Sequence, residues 1–346
     1  MPALIGLVAV ILIGGGWFVL RPSGGSHSSL RPTGVATSPA PSAEDPNTPP
    51  VITPAAAAAV VRSFWPAHEK ALASGNLTAL ARMSAGPALR WEQATVACAC
   101  RGVTKPRPMW RAKYFVRRQT SYPASFVAAV QMNRKYLYWT EVLVFTKASA
   151  SARWLLTENS GVEPHFGTFI DLAGPAAAMT GFAPAPTPAQ HQAAVKVAAE
   201  LAGLWQQTKD SSSIPTSVFE VTGQTEDRLS SLAAYQQDAT QRNGLLGHFT
   251  FSASRTDPLV EVAVDGNDLA CQPLHETVVY QAGKPGQYVF QDAARHNWGP
   301  ALAPGKYGAV VSTDEWQTCF LIPPRAAGPI QVLNQPVGGS VVRPYS

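Results

Sequence analysis

Cysteines come first among the residues whose types and spacing could do chemistry: Cys98, Cys100, Cys271 and Cys319. An even set in an oxidising compartment reads as two disulfides, with three connectivities open. Cys271 and Cys319 both fall at the ends of predicted strands, which makes them the first pair. Cys98 and Cys100 flank a single alanine, so they would close a strained local ring or share a partner. A redox or zinc site is the other reading. It is the weaker one, because the spacing is not C-x-x-C and neither Cys98 nor Cys100 has a histidine within 25 residues.

A second group is electrostatic. Between Gln93 and Thr140 there is no Asp or Glu, yet there are nine Lys or Arg, among them Arg107, Arg111, Lys113, Arg117 and Arg118. Strand alternation through Trp110–Val116 puts Arg111 and Lys113 on one face and Trp110, Ala112, Tyr114 and Val116 on the other. A patch of Arg111, Lys113, Arg117 and Arg118 would attract an anionic ligand such as lipid head groups or a cell-wall polymer. The plain alternative is a solvated face that keeps the domain in solution.

The histidines give less. His275-Glu276 and His68-Glu69 each open an H-E-x-x-H pattern that fails at Val279 and Leu72. No G-x-S-x-G, Walker loop or G-x-G-x-x-G is present. No catalytic residue, cofactor or metal site is expected. A ring of Trp65, Trp91, Tyr138 and Trp139 could line a cavity, although filling core volume is the default use of such side chains.

The elements that must position these residues follow from two similar segments. TPAAAAAVVR (Thr53–Arg62) aligns with TPAQHQAAVK (Thr187–Lys196), 134 residues apart. Each opens with a threonine cap and a proline at the first helical position. The first helix runs to Gly75, a C-cap glycine, and a short second helix over Leu77–Met83 closes at Gly86. Strands are predicted over 112–116, 125–130, 137–146 and 153–157. After the second Thr-Pro they are predicted over 247–253, 259–264, 276–281, 287–290, 309–312 and 318–322, with Asp265-Gly266-Asn267-Asp268 as a turn. Helices first and antiparallel strands after indicate an α+β fold with helices packed on curved antiparallel sheets.

Length and composition bound the rest. The chain has 346 residues, 46% apolar and only 14% charged, with a net charge of +5. That excludes a coiled coil and a fully disordered chain, and it leaves room for about two domains. No recognisable nucleic-acid-binding module is present, so no nucleic-acid partner is expected. Ala3–Leu20 holds 18 residues without a charge, enough at 1.5 Å per residue to reach about 27 Å and to serve as a transmembrane signal-anchor. The positive-inside rule taken literally turns the bulk of the chain to the cytoplasm, whereas the cysteines and the Ser/Pro/Thr linker favour the extracytoplasmic side. The organisation expected is an anchor at 1–20, a disordered Pro/Ser-rich linker at 21–52, domains at 53–180 and 187–330, and a tail at 331–346.

Phe64–Glu92, FWPAHEKALASGNLTALARMSAGPALRWE, resembles the opening of nuclear-transport-factor-2-like domains of the cystatin type. SYPASFVAAV (Ser121–Val130), a long strand and RWLLTEN together resemble actinobacterial membrane-anchored proteins of the uncharacterised-domain family numbered 8094. The resemblance implies two tandem domains of that α+β fold behind one transmembrane helix, and it carries no chemistry. The function expected is a non-catalytic binding or scaffold module of the cell envelope, bound to anionic lipid, a wall polymer or another envelope protein. The alternatives are an oligomerisation partner in an envelope complex, or an enzyme with a small-molecule pocket.

Overall fold

Thr53 starts the first helix as its sequence requires: its hydroxyl accepts from the Ala56 amide at 3.2 Å, and Pro54 fills a position whose N–H would go unused. The helix α1 (Pro54–Ala73) ends at Ser74, and Gly75 takes φ +65° to turn the chain. In the second copy Thr187 caps α4 (Pro188–Gln207) within a reciprocal capping box. The Gln190 amide donates to the Thr187 hydroxyl, and the Gln190 carboxamide oxygen accepts from the Thr187 amide at 3.0 Å.

A computed structural model describes residues 47–98, 105–132, 140–162, 181–207, 218–220, 240, 244–255, 259–264, 266–290, 306–324, 328–335 and 341–344. After α1 come α2 (Leu77–Leu80) and α3 (Gly86–Cys98). An antiparallel meander follows: β1 (Met109–Phe115), β2 (Ala124–Met132), β3 (Thr140–Lys147) and β4 (Leu155–Val162), in that order across the sheet. Beyond α4 lie β5 (Phe219–Glu220), β6 (Gly244–Ala253), β7 (Val260–Val264), β8 (Asn267–Cys271) and β9 (Leu274–Ala282). The chain continues through β10 (Val289–Phe290), β11 (Lys306–Tyr307), β12 (Ala309–Ile322), β13 (Ile330–Gln335) and β14 (Val341–Pro344). The long β12 organises this second sheet: its first half pairs with β9 and β14, and its second half with β8 and β13.

Alternation along the strands sets the layers. In β2, Phe126, Ala128, Val130 and Met132 pack under α1, while Val127 and Ala129 face the other way into a shared cluster with β7, β8, β12 and β13. Cys271, Cys319, Leu321 and Leu333 meet that cluster from the second sheet, whose opposite face, through Ala270, Phe320 and Val332, carries α4. The order is helix, sheet, sheet, helix, with an apolar core in each of the three spaces. Residues Glu44–Ser346 form one compact unit. Arg90 on α3 spans the halves in a two-point ion pair with Glu315 on β12.

Several expectations are corrected. The α+β pair of nuclear-transport-factor-2-like domains does not stand, because among the described residues strand outweighs helix, 43% against 28%, and one described helix serves the second half. The transmembrane signal-anchor and the single-pass cell-membrane location built on it do not stand either. Among the described residues no helix is long and apolar enough to cross a membrane, and Ala3–Leu20 lies outside the described residues. Gly86 opens α3 at φ +56° instead of closing α2, which ends at Leu80. The segments at 309–312 and 318–322 are one strand, and the expected tail supplies β14 and all but the first residue of β13.

Candidate functional site

The charged groups that could act chemically collect under α1. His68 and Glu69 sit on its apolar stripe between Trp65 and Leu72 and are 1% and 0% exposed. Glu92 comes from α3, Arg107 from the segment leading into β1, Glu141 from β3 and Asn159 from β4. The Arg107 guanidinium donates through Nε and Nη2 to the two oxygens of Glu69, each at 2.8 Å, and through Nη1 to Glu141 at 3.0 Å. Its backbone amide adds a bond to Glu69 Oε2 at 2.9 Å, and its carbonyl accepts from the Trp65 indole at 2.7 Å. Asn159 Nδ2 donates to the second oxygen of Glu141 at 3.2 Å.

Glu92 Oε1 accepts from both His68 Nε2 at 2.8 Å and the Ser84 hydroxyl at 2.7 Å. Burial by itself would lower the His68 pKa. Glu69, whose oxygen lies 3.8 Å from Nδ1, and the bonded Glu92 outweigh it and raise the pKa to about 9. Burial would raise the Glu69 pKa, but His68 and Arg107 hold it down at about 2. The imidazole is therefore a cation at neutral pH, and it shares a carboxylate with Ser84 instead of facing its hydroxyl. A nucleophile needs a neutral base within hydrogen-bond reach. This arrangement offers an ion cluster, with Ser84 and His68 both spent on Glu92.

A second buried acid group lies under α4. Asp268 is 0% exposed, and burial together with the neighbouring Glu261 raises its pKa to about 8 against the attraction of Arg117. Glu261 pairs in turn with His191 Nδ1 at 2.6 Å.

The cations singled out in the sequence are spread along β1 and its continuation, all half-buried. Arg111 and Lys113 share the strand face that carries Phe115. The Arg111 head lies 4.2 Å over the Trp110 ring and the Lys113 head 5.4 Å over Phe115. Ala112 and Tyr114 pack toward α1 on the other face. Arg117 faces Asp268, and Arg118 lies over Phe182 while donating to the Thr48 carbonyl at 2.6 Å. Cys271 and Cys319 form the expected disulfide, directly opposite one another on β8 and β12. Cys98 closes α3, and Cys100 lies outside the described residues. Trp65 and Trp91 pack in two different apolar clusters, and Tyr138 and Trp139 lie outside the described residues.

Sequence reasoning reached Arg107 only as one member of the basic run, and His68-Glu69 only as a failed zinc motif. The signal available was charge inside apolar periodicity: His68 and Glu69 interrupt the stripe of α1, and Glu141 interrupts the strand 137–146. No curated protein and no solved structure matches this chain. A family model matches residues 48–261, through α4 and into β7, which covers more than half of the sequence. The family resemblance read from Ser121–Val130 and its neighbours is borne out at that level, and the chain belongs to the family of the Domain of unknown function (DUF8094).

Proposed function

We propose that the chain is a non-catalytic binding module whose ligand is a linear anionic polymer, contacted by Arg111 and Lys113 on β1. The observation that carries this reading is the pair of cations on one face of a strand at the edge of its sheet, inside a stretch that holds no acidic residue from Gln93 to Thr140. Aromatic rings beneath both heads fix their positions, which lowers the ordering cost of binding. The ion cluster under α1 supports the non-catalytic part, since its histidine is held as a cation and its serine is bonded to a carboxylate.

The test compares retention of the full chain on a dextran sulfate column. Neutralising both cations, Arg111→Gln with Lys113→Gln, should move elution to distinctly lower salt. Lys70→Gln with Arg82→Gln removes the same charge from two exposed sites and should change elution far less. Equal shifts for the two double variants would mean that net charge alone retains the protein, and the reading would be wrong.

A further inference from the structure

Glu158 on β4 of the first sheet faces Cys271 on β8 and Cys319 on β12 of the second. One carboxylate oxygen and the two sulfurs lie within 4.8 Å of one another. The three residues are 4%, 0% and 0% exposed. Their surroundings are the apolar cluster between the sheets, where Val127, Val144, Val260 and Leu333 supply the walls. The placement of a carboxylate oxygen against both sulfurs is one a thiophilic cation would use. In the oxidised protein the sulfurs are bonded to each other. Because the two cysteines stand opposite in the strand register, reduction leaves two thiols side by side on adjacent strands with the carboxylate above them.

We propose that the reduced form of this pair, with Glu158, is a binding site for a thiophilic divalent cation of the zinc type. Zinc takes thiolate sulfur at about 2.3 Å and carboxylate oxygen at about 2.0–2.2 Å, so tetrahedral ligand atoms stand about 3.5–3.8 Å apart. The carboxylate oxygen lies within 4.8 Å of both sulfurs, close enough to reach that spacing once the S–S bond is broken. Two thiolates and one carboxylate leave the fourth position to water. The chemistry balances with a dithiol reductant. The dithiol gives two electrons and two protons to the sulfurs, breaks the S–S bond and leaves as its own disulfide; the cation then displaces the two thiol protons to solvent. The disulfide ties β8 to β12 within one sheet, whereas the cation would tie both to β4 in the other. Redox state would thus decide whether the two sheets are joined by a coordinate bond. This inference is independent of the polymer-binding reading.

The test uses the full chain, reduced with a trialkylphosphine and freed of it, then titrated with zinc against a chromophoric chelator and with cobalt for its thiolate charge-transfer absorption. The reduced chain should hold one more equivalent than the oxidised chain and show the cobalt–thiolate band. Glu158→Gln, which keeps the shape and both thiols, should weaken zinc binding at least ~10-fold, a loss at the level already seen for outer-shell partners. Cys98→Ser with Cys100→Ser should leave that equivalent in place, and Cys271→Ser with Cys319→Ser should remove it. Equal uptake by oxidised and reduced chains, unchanged affinity in the Glu158 variant, or an equivalent that follows Cys98 and Cys100 would each overturn the proposal.

Discussion

Replacing Arg107 with Met keeps most of the side-chain volume and removes the one guanidinium that serves both Glu69 and Glu141. Those carboxylates are 0% and 1% exposed, and they would lose the cation they share, Glu69 keeping His68 at 3.8 Å and Glu141 its bond from Asn159. Removing one partner of a buried ion pair costs about 3–5 kcal/mol, because the remaining charge is neither hydrated nor paired. The loss should depend on pH in a defined direction. Glu69 is held at about 2 in the folded chain against an ordinary 4.5. Its contribution is therefore fully present above about pH 4.5 and disappears as the pH falls through 2. In the variant the carboxylate escapes by taking a proton, so the gap between wild type and Arg107→Met should be widest near pH 7 and narrow below pH 4.5. Urea unfolding read by tryptophan fluorescence is a suitable assay, since the nine tryptophans include Trp65, whose indole bonds to the Arg107 carbonyl at 2.7 Å. Adding Glu69→Gln to Arg107→Met should recover part of the loss by removing the stranded charge. A cost under about 1 kcal/mol at pH 7, or one that stays constant down to pH 3, would refute the reasoning, because either result means the buried carboxylates do not need this cation.

Two further outcomes follow from the other titrating groups. His68 has its pKa raised to about 9 from 6.5, so the stability it contributes is complete below pH 6.5 and is lost as the pH rises through 9. Replacing it with Gln should lower stability at pH 6 and flatten the decline between pH 6.5 and 9, as followed by thermal unfolding across that range. Asp268 has its pKa raised to about 8 from 3.8, so the folded chain binds a proton that the unfolded chain has released, and stability falls with rising pH between those values. Asp268→Asn, which stays neutral, should be more stable than wild type at pH 9 by more than it is at pH 4; an equal difference at both would show that Asp268 does not carry the proton.

What the sequence revealed was whatever is signalled locally. Thr53-Pro54 and Thr187-Pro188 marked both long helices because capping is a matter of four adjacent residues, and Gly75 marked an end because only a positive φ turns the chain there. The strands β2, β3 and β9 carried enough β-branched and aromatic residues to be seen. By contrast β8, with the sequence NDLAC, opens on two polar residues, and the polar TDEWQ hid the continuity of β12, whose first half is held by partners on both sides. Gly86 misled because one glycine at positive φ both ends a turn and admits a new helix. Cys271 and Cys319 could be paired because both were placed at strand ends. Glu69, Glu92, Arg107 and Glu141 could not, since they are brought together from four elements by a topology that no local pattern encodes.

The two long helices show what the ion cluster adds. The seven buried positions of α4, Gln190, Ala194, Val197, Ala198, Leu201, Ala202 and Trp205, reproduce seven of the nine of α1 when the Thr-Pro alignment is slipped by one residue. On that register Val61 corresponds to Ala194 and Leu72 to Trp205, while His68 and Glu69 correspond to Leu201 and Ala202. The second half therefore seats its helix on a sheet with apolar residues at the two places where the first half uses charge. Packing alone does not require a histidine and a glutamate there, and an apolar replacement of a buried ion pair is often no less stable. Direction is what the charged version supplies. Apolar contact is non-directional and lets layers slide, whereas the bonds run from Glu69 through Arg107 to Glu141 and on to Asn159, whose backbone amide donates to Gln317 of β12. That chain of partners crosses from the outer helix through the first sheet into the second, and each bond in it is satisfied only at one relative position of the layers it joins.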